Sequence, residues 1–213
     1  MAGAAVSKEC YQQQERRLTN KQELMVVCLH DVQQPQIRWQ DRLKDDRGKT
    51  CKVTVDGTDF RIPRQRPHSR DRQYYSHKFK HAALRYEVAV CIQTGLMVWI
   101  NGPFRAGKWP DVNIFRRDLK GKLLPGEMIE ADRGYRDPSV RHCDVVVSRS
   151  DARAKSRAMR RHETVNSDLK TFGCLNQQWR HELGKHSVAF SSCAFLIQMK
   201  YKLEGGPKFH CKY

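Results

Sequence analysis

The sequence has no C-x-x-C pair, no apolar run of membrane length and no internal repeat. Zinc scaffolds need ligands paired at short spacing. The close Cys/His neighbours are Cys28 with His30, His142 with Cys143 and His210 with Cys211, so no structural zinc site is expected. The longest apolar runs, around Leu24 to Leu29 and Leu96 to Ile100, fall far short of the roughly 20 residues a spanning helix needs, and no membrane partner is expected. Residues Met1 to Glu15 lack the apolar centre of a secretory signal and carry Glu9 and Glu15, which points to an intracellular chain with its eight cysteines reduced. Acidic residues are also in deficit: 23 Asp and Glu against 40 Lys and Arg, a net charge of +17.

That excess is not confined to one tail, and it calls for a partner bearing many negative charges. Nucleic acid fits best, because each phosphate neutralised by Lys or Arg releases condensed counterions. The length of 213 residues allows one domain with a modest extension, and 39% hydrophobic residues are enough for a core.

Three regions are expected: a polar extension over 1–36 with a helical stretch from Asn20 to His30, a catalytic-size domain over 37–204, and a tail over 205–213. Thr50 to Ile62 reads as a strand, with Val53 and Val55 at alternate positions. Pro63 to Arg72 reads as a loop. Leu84 to Ile92 and Leu96 to Phe104 read as two further strands joined at Thr94-Gly95, a tight hairpin signal. Asp111 is placed as the N-cap of a helix carrying Val112, Ile114, Phe115 and Leu119 and ending near Leu123. Glu127 to Asp132 is a short strand returning parallel by a right-handed crossover, and Val145 to Ser148 a fifth. A long cationic helix covers Asp151 to Phe172 with Gly173 as its stop, and an apolar helix covers Trp179 to Leu203. Three antiparallel strands followed by parallel crossover strands, flanked by helices, make an α/β mixed five-stranded sheet of the RNase H-like plan.

Three carboxylates stand out. Asp56 lies within an apolar strand, where an ionised group is costly without a cation or donors to hold it. It shares a face with Thr54 and Thr58, whereas Asp59 points the other way. Asp132 closes the crossover strand and can approach Asp56 at the carboxyl ends of parallel neighbours, where open α/β sheets build their sites. Glu163 forms one helical stripe with Asn166 and Lys170. Each segment alone also fits a bland reading: a strand-ending turn for Asp56 and for Asp132, a charged surface helix for Glu163. Jointly, the three acids suit Mg²⁺ or Mn²⁺, hard cations that take oxygen ligands. Two such ions about 4 Å apart can serve in-line attack on phosphorus. The cations fit that chemistry: Arg153, Lys155, Arg157, Arg160, Arg161 and Lys170 surround Glu163, and Arg61, Arg64, Arg66, Arg70 and Arg72 follow the Asp56 strand.

The ordered segments Val55-Asp-Gly-Thr-Asp-Phe60, Tyr75-Ser-His-Lys-Phe79, Leu84-Arg-Tyr-Glu-Val88, Val98-Trp-Ile-Asn-Gly-Pro103, Trp109-Pro-Asp111, Ala131-Asp-Arg-Gly-Tyr135 and His162-Glu-Thr-Val-Asn166 resemble a eukaryotic DDE superfamily endonuclease domain, transposase-derived and related to the Harbinger and bacterial insertion-sequence groups. The resemblance spans about residues 37 to 200. It implies a metal-dependent enzyme that cuts or joins DNA, with Asp56, Asp132 and Glu163 as catalytic and metal-binding acids. Asp111 is a secondary ligand on this reading. Lys78, Arg157, Arg160, Arg161, Asn166 and Lys170 are the expected DNA contacts, and His77 and His162, set among basic residues, read either as further phosphate contacts or as solvated surface groups. Relatives in such groups usually carry a helical DNA-reading domain ahead of the catalytic one, against about 50 residues before the first strand here, so a separate DNA-binding partner is expected, or a homodimer. Nuclear residence is expected, otherwise cytoplasmic. The alternative is a catalytically inactive, transposase-derived DNA-binding protein.

Overall fold

The chain divides into Met1–Gln36 and Ile37–Tyr213. The computed structural model describes residues 37–44, 51–135, 145–147 and 157–207, all within the second unit. The helix expected at 20–30, the three Cys/His neighbour pairs, Arg153, Lys155 and the side chain of Arg157 lie outside the described residues.

Six strands form one sheet: β1 (Cys51–Arg61), β2 (Tyr75–Ser76), β3 (His81–Cys91), β4 (Met97–Arg105), β5 (Met128–Ala131) and β6 (Val145–Val147). Five are the expected strands, and β2 is a two-residue addition beside the start of β3. The order is β2-β3-β1-β5-β6, with β4 also paired to β3. β1 runs antiparallel to β3, and β3 antiparallel to β4. β5 returns parallel to β1, with Val55 opposite Ala131, and β6 parallel to β5. The β3–β4 turn closes on Gly95 at φ +73, where its amide donates to the Cys91 carbonyl at 2.8 Å.

Alternation along β1 sorts its residues between two cores. Val53 and Val55 pack with Ala89, Val98, Phe115 and Leu119 beneath α2 (Asp111–Ile114) and the helical turns that continue it to Lys122. Phe60 and Ile62, on the opposite face, pack with Val165 and Leu169 of α3 (Arg157–Leu169) and with Phe190 and Ile197 of α5 (His186–Glu204). Helices thus cover both faces, as the RNase H-like plan requires. Trp39 to Leu43 straps the end of this arrangement: Arg42, buried, donates to Glu127 from Nε at 2.7 Å and from Nη2 at 2.8 Å, with Trp39 stacked over its guanidinium. Removing one partner of such a buried pair costs about 3–5 kcal/mol.

Four expectations need correction. Pro63 to Arg72 is not all loop, because α1 (His68–Tyr74) begins after Pro67, whose carbonyl accepts from the Arg70 and Asp71 amides. Asp111 is not an N-cap: Pro110 holds that place without a side-chain cap, and Asp111 is the first helical residue with its carboxylate turned elsewhere. Gly173 does not end the long helix. α3 stops at Leu169 in a tight turn, the Lys170 amide donating to Ser167 O, and Gly173 opens the short α4 (Gly173–Asn176). The last helix starts at His186 instead of Trp179, because the Trp179 amide is engaged by the Arg61 carbonyl at 2.9 Å.

Candidate active site

Asp56 sits on the α3 face of β1. Asp132 follows Ala131 directly, just as Asp56 follows its register partner Val55, so the two carboxylates project side by side from parallel strands. The helix α3 approaches this edge in register with the strand. His162 Nδ1 bonds Thr54 Oγ1 at 2.8 Å, and one turn later Asn166 Nδ2 donates to Asp56 Oδ2 at 2.9 Å. Thr54 already donates to Val90 O, so it accepts from His162 Nδ1–H. Burial pushes that histidine down to about 4. His162 is therefore a buried strut and not the phosphate contact its basic surroundings indicate.

From the other face comes Asp111. A Cβ at Gly57 would stand 2.0 Å from its Oδ1, so the missing side chain of Gly57 is what admits the carboxylate. Arg85 holds it there: Nη1 lies 3.2 Å from Asp111 Oδ1, as an ion pair without hydrogen-bond alignment. The same guanidinium grips Asp59 through Nε at 2.7 Å and Nη2 at 3.0 Å, and Ser76 Oγ donates to Asp59 at 2.7 Å. The sequence does not single out Arg85, and it sets Asp59 aside as pointing away from Asp56, yet both help to build the site. The signal existed, since Arg85 and Glu87 are charged residues in an apolar strand, the same anomaly that marks Asp56.

Asp56, Asp111 and Asp132 line one open pocket of about 420 Å³ together with His77, Lys78 and Arg85. Burial pushes the Asp56 carboxyl up to about 7, reinforced by the charges of Asp132 and then Asp111, against the pull of Lys78. Asp111 is pushed up to about 6, again by burial first, with Arg85 opposing and Asp59 and Asp132 adding to the rise. Behind Gly57, its strand partner Glu87 is 1% exposed and accepts from Trp99 Nε1 at 3.1 Å; burial raises it to about 8.

The other expected residues divide. Lys78 lines the pocket. Lys170 is close enough to feel Asp56, Asp59 and Lys78, and burial lowers its pKa; its ammonium lies 5.8 Å from the Phe79 ring centroid. Asn166 spends its amide N–H on Asp56. Arg161 donates to Ile92 O at 2.8 Å and Gln93 O at 3.3 Å, clasping the β3–β4 turn. Arg160 is exposed on α3. Glu163 is exposed one turn before Asn166 and does not line the pocket.

A divalent cation is tested by this donor set. Among the described residues no three His, Cys, Asp or Glu side chains form a ready-made ligand group. The chemistry nevertheless fits a hard cation: four carboxylates line one pocket, Asp59 engaged by Arg85 and Ser76 and the other three facing one another, and the like charges of Asp132 and Asp111 oppose ionisation of Asp56. Soft ligands are absent from the lining.

A mixed sheet whose first strand and crossover strand deliver neighbouring aspartates, with a helix laid across the same edge, defines an α/β protein of the RNase H-like class. Residues 55–198 match the family model described as DDE superfamily endonuclease, and the chain belongs to that family. Membership puts it among nuclease- and transposase-type proteins. No match was found among curated proteins or among solved structures. No helix among the described residues is long and apolar enough to cross a membrane.

Proposed function

We propose that this protein is a metal-dependent DNA endonuclease or strand-transferase acting at the Asp56 pocket in the nucleus. One observation carries the reading: a half-buried Asp56, raised to about 7, beside Asp132 and Asp111 in a pocket that Lys78 and Arg85 also line. Asp56, Asp132 and Asp111 would hold Mg²⁺ or Mn²⁺, and Glu163, one turn before Asn166 on α3, is the remaining carboxylate of the acid set. When bound, the metal supplies charge neutralisation at phosphorus and activation of water or a DNA 3′-hydroxyl.

The chain's own residues do the rest. Asn166 fixes the Asp56 carboxylate through Oδ2 at the edge of the pocket that Asp56 lines. Arg85 keeps Asp111 and Asp59 from rotating away. Lys78 at the rim and Lys170 beside it attract a phosphodiester and offset the acidic floor for an approaching polyanion. The wider +17 charge retains the duplex by counterion release.

Supercoiled plasmid incubated with the full chain and Mn²⁺ or Mg²⁺ is expected to be nicked, and Asp56→Asn to lose at least about 100-fold in rate, near 2.7 kcal/mol of activation free energy. Equal nicking by Asp56→Asn sinks the reading. The net charge supports the second reading, a DNA-binding protein without cleavage, which predicts salt-dependent DNA retention and no metal-dependent nicking in either form.

A further inference from the structure

Away from the acid pocket, α4 and α5 meet at a pair of cysteines. Cys174 on α4 is exposed, and Cys193 on α5 is buried against the core with 5% exposure. Their sulfurs stand 3.7 Å apart, thiol against thiol. We propose that Cys174 and Cys193 are an oxidative modification site, closing to a reducible disulfide when the protein meets a hydroperoxide.

The roles of the two sulfurs follow from their surroundings. Reagents in solution reach Cys174, while Cys193 is shielded, and burial followed by the neighbouring Cys174 raises the Cys193 thiol. Cys174 is then the sulfur that attacks the peroxide: its thiolate displaces hydroxide from the O–O bond and becomes a sulfenic acid. Cys193 attacks that sulfur, the S–O bond breaks, and the Cys193 proton leaves with the oxygen as water. Two thiols and one hydrogen peroxide give one disulfide and two waters. The sulfurs already touch at 3.7 Å, so forming the bond brings them together by less than about 2 Å, to about 2.05 Å, as the side chains turn to the dihedral of about 90° that a disulfide prefers.

The bond would staple α4, which follows Lys170 and the end of α3, onto the core helix α5. Leu175 of α4 and Phe190 of α5 already share one core, so the cross-link joins elements that are packed together in the reduced protein. Its formation does not depend on the chemistry of the acid pocket.

The full chain, reduced, freed of reductant and treated with near-stoichiometric hydrogen peroxide, tests this. Peptide mapping without reduction is expected to yield a Cys174–Cys193 cross-link lighter by two hydrogens, and alkylation after unfolding to find both thiols blocked together and released together by dithiothreitol. The melting temperature should rise on oxidation and return on reduction. Cys174→Ser, an exposed substitution that leaves the core intact, should abolish the cross-link and the rise, leaving Cys193 fully alkylatable. Cys174 over-oxidised to sulfinic acid with Cys193 still a free thiol overturns the proposal, as does a cross-link of either residue to a different cysteine in its place.

Discussion

Gly57→Ala tests the close approach by which Asp111 reaches the Asp56 pocket. An added Cβ would lie 2.0 Å from Asp111 Oδ1 and 2.8 Å from its Cγ, so the carboxylate must retreat by roughly 1.4 Å to reach the 3.4 Å of ordinary contact. No positive φ is needed at Gly57, and alanine in a strand interior is favoured over glycine by about 0.5–1 kcal/mol. Overpacking works against that gain with about 1–3 kcal/mol, for a net loss of about 0–2.5 kcal/mol. At 2–4 °C per kcal/mol for a chain of this size, the melting temperature falls by at most about 10 °C. Activity should fall much further, because displacement of a site group by about 1 Å can cost 10²-fold. The assay is metal-dependent plasmid nicking beside a thermal melt, with Gly121→Ala as control, since nothing lies within 4 Å of a Cβ there. In Asp111→Asn the Gly57→Ala effect should shrink, the mark of two changes acting through one group. A folded Gly57→Ala protein that nicks at the parental rate would remove Asp111 from the site.

Two other predictions rest on Asp56. Asn166→Ala deletes the donor at 2.9 Å from Asp56 Oδ2, a hydrogen bond to a charged group worth about 1.5–3 kcal/mol, so nicking should slow by one to two orders of magnitude. The salt needed to elute the variant from immobilised DNA should stay unchanged, whereas a drop in that salt would assign Asn166 to phosphate instead. In metal-free buffer, the native Asp56 binds its proton up to about pH 7, against 3.8 for the ordinary group, and Asp111 up to about 6. The folded state therefore holds more protons than the unfolded chain between these limits, and the associated stability, present below about pH 4, is lost as pH rises toward 7. Melts in EDTA should accordingly show parental protein losing ground to Asp56→Asn between pH 4.5 and 7.5, with Mn²⁺ restoring it at the upper end; parallel curves would contradict the half-buried, mutually repelling acids.

The order of strands was legible because each carries a pattern that water enforces: Val53 and Val55 alternate on β1, Thr94-Gly95 closes β3 on β4, and the four residues of β5 return beside β1 as a short crossover strand must. Asp56 and Asp132 were legible for the complementary reason, charge where apolar burial was expected. Element ends were less so. Gly173 has the residue type of a helix stop, yet hydrogen bonding ends α3 earlier, at Leu169, and a glycine with no positive φ is free to start a helix.

Asp111 shows what a linear pattern conceals. Its sequence context, a proline followed by an acid and a helix, describes a local cap, and local hydrogen bonding would suffice to explain it. Its position is decided instead by two residues more than 20 positions away: Arg85, which attracts the carboxylate, and Gly57, which leaves the space for it. Neither cause is periodic. A strand glycine carries no side chain to announce a role, and an arginine's partner is chosen by sheet register, here Asp59 opposite Arg85 and Gly57 opposite Glu87. The same two pairs put a third acid beside Asp56 and Asp132 while reserving a guanidinium to hold it. Glu163, whose helical stripe with Asn166 and Lys170 was plain in the sequence, is exposed, because α3 turns His162 and Asn166 to the strand and leaves Glu163 beside them on the solvent side. Comparing Asp111→Asn with Glu163→Gln in metal titrations of nicking therefore separates a ligand fixed by the sheet from one carried by the helix: the substitution that raises the Mn²⁺ requirement about tenfold or more, near 1.4 kcal/mol, identifies the acid that meets the ion.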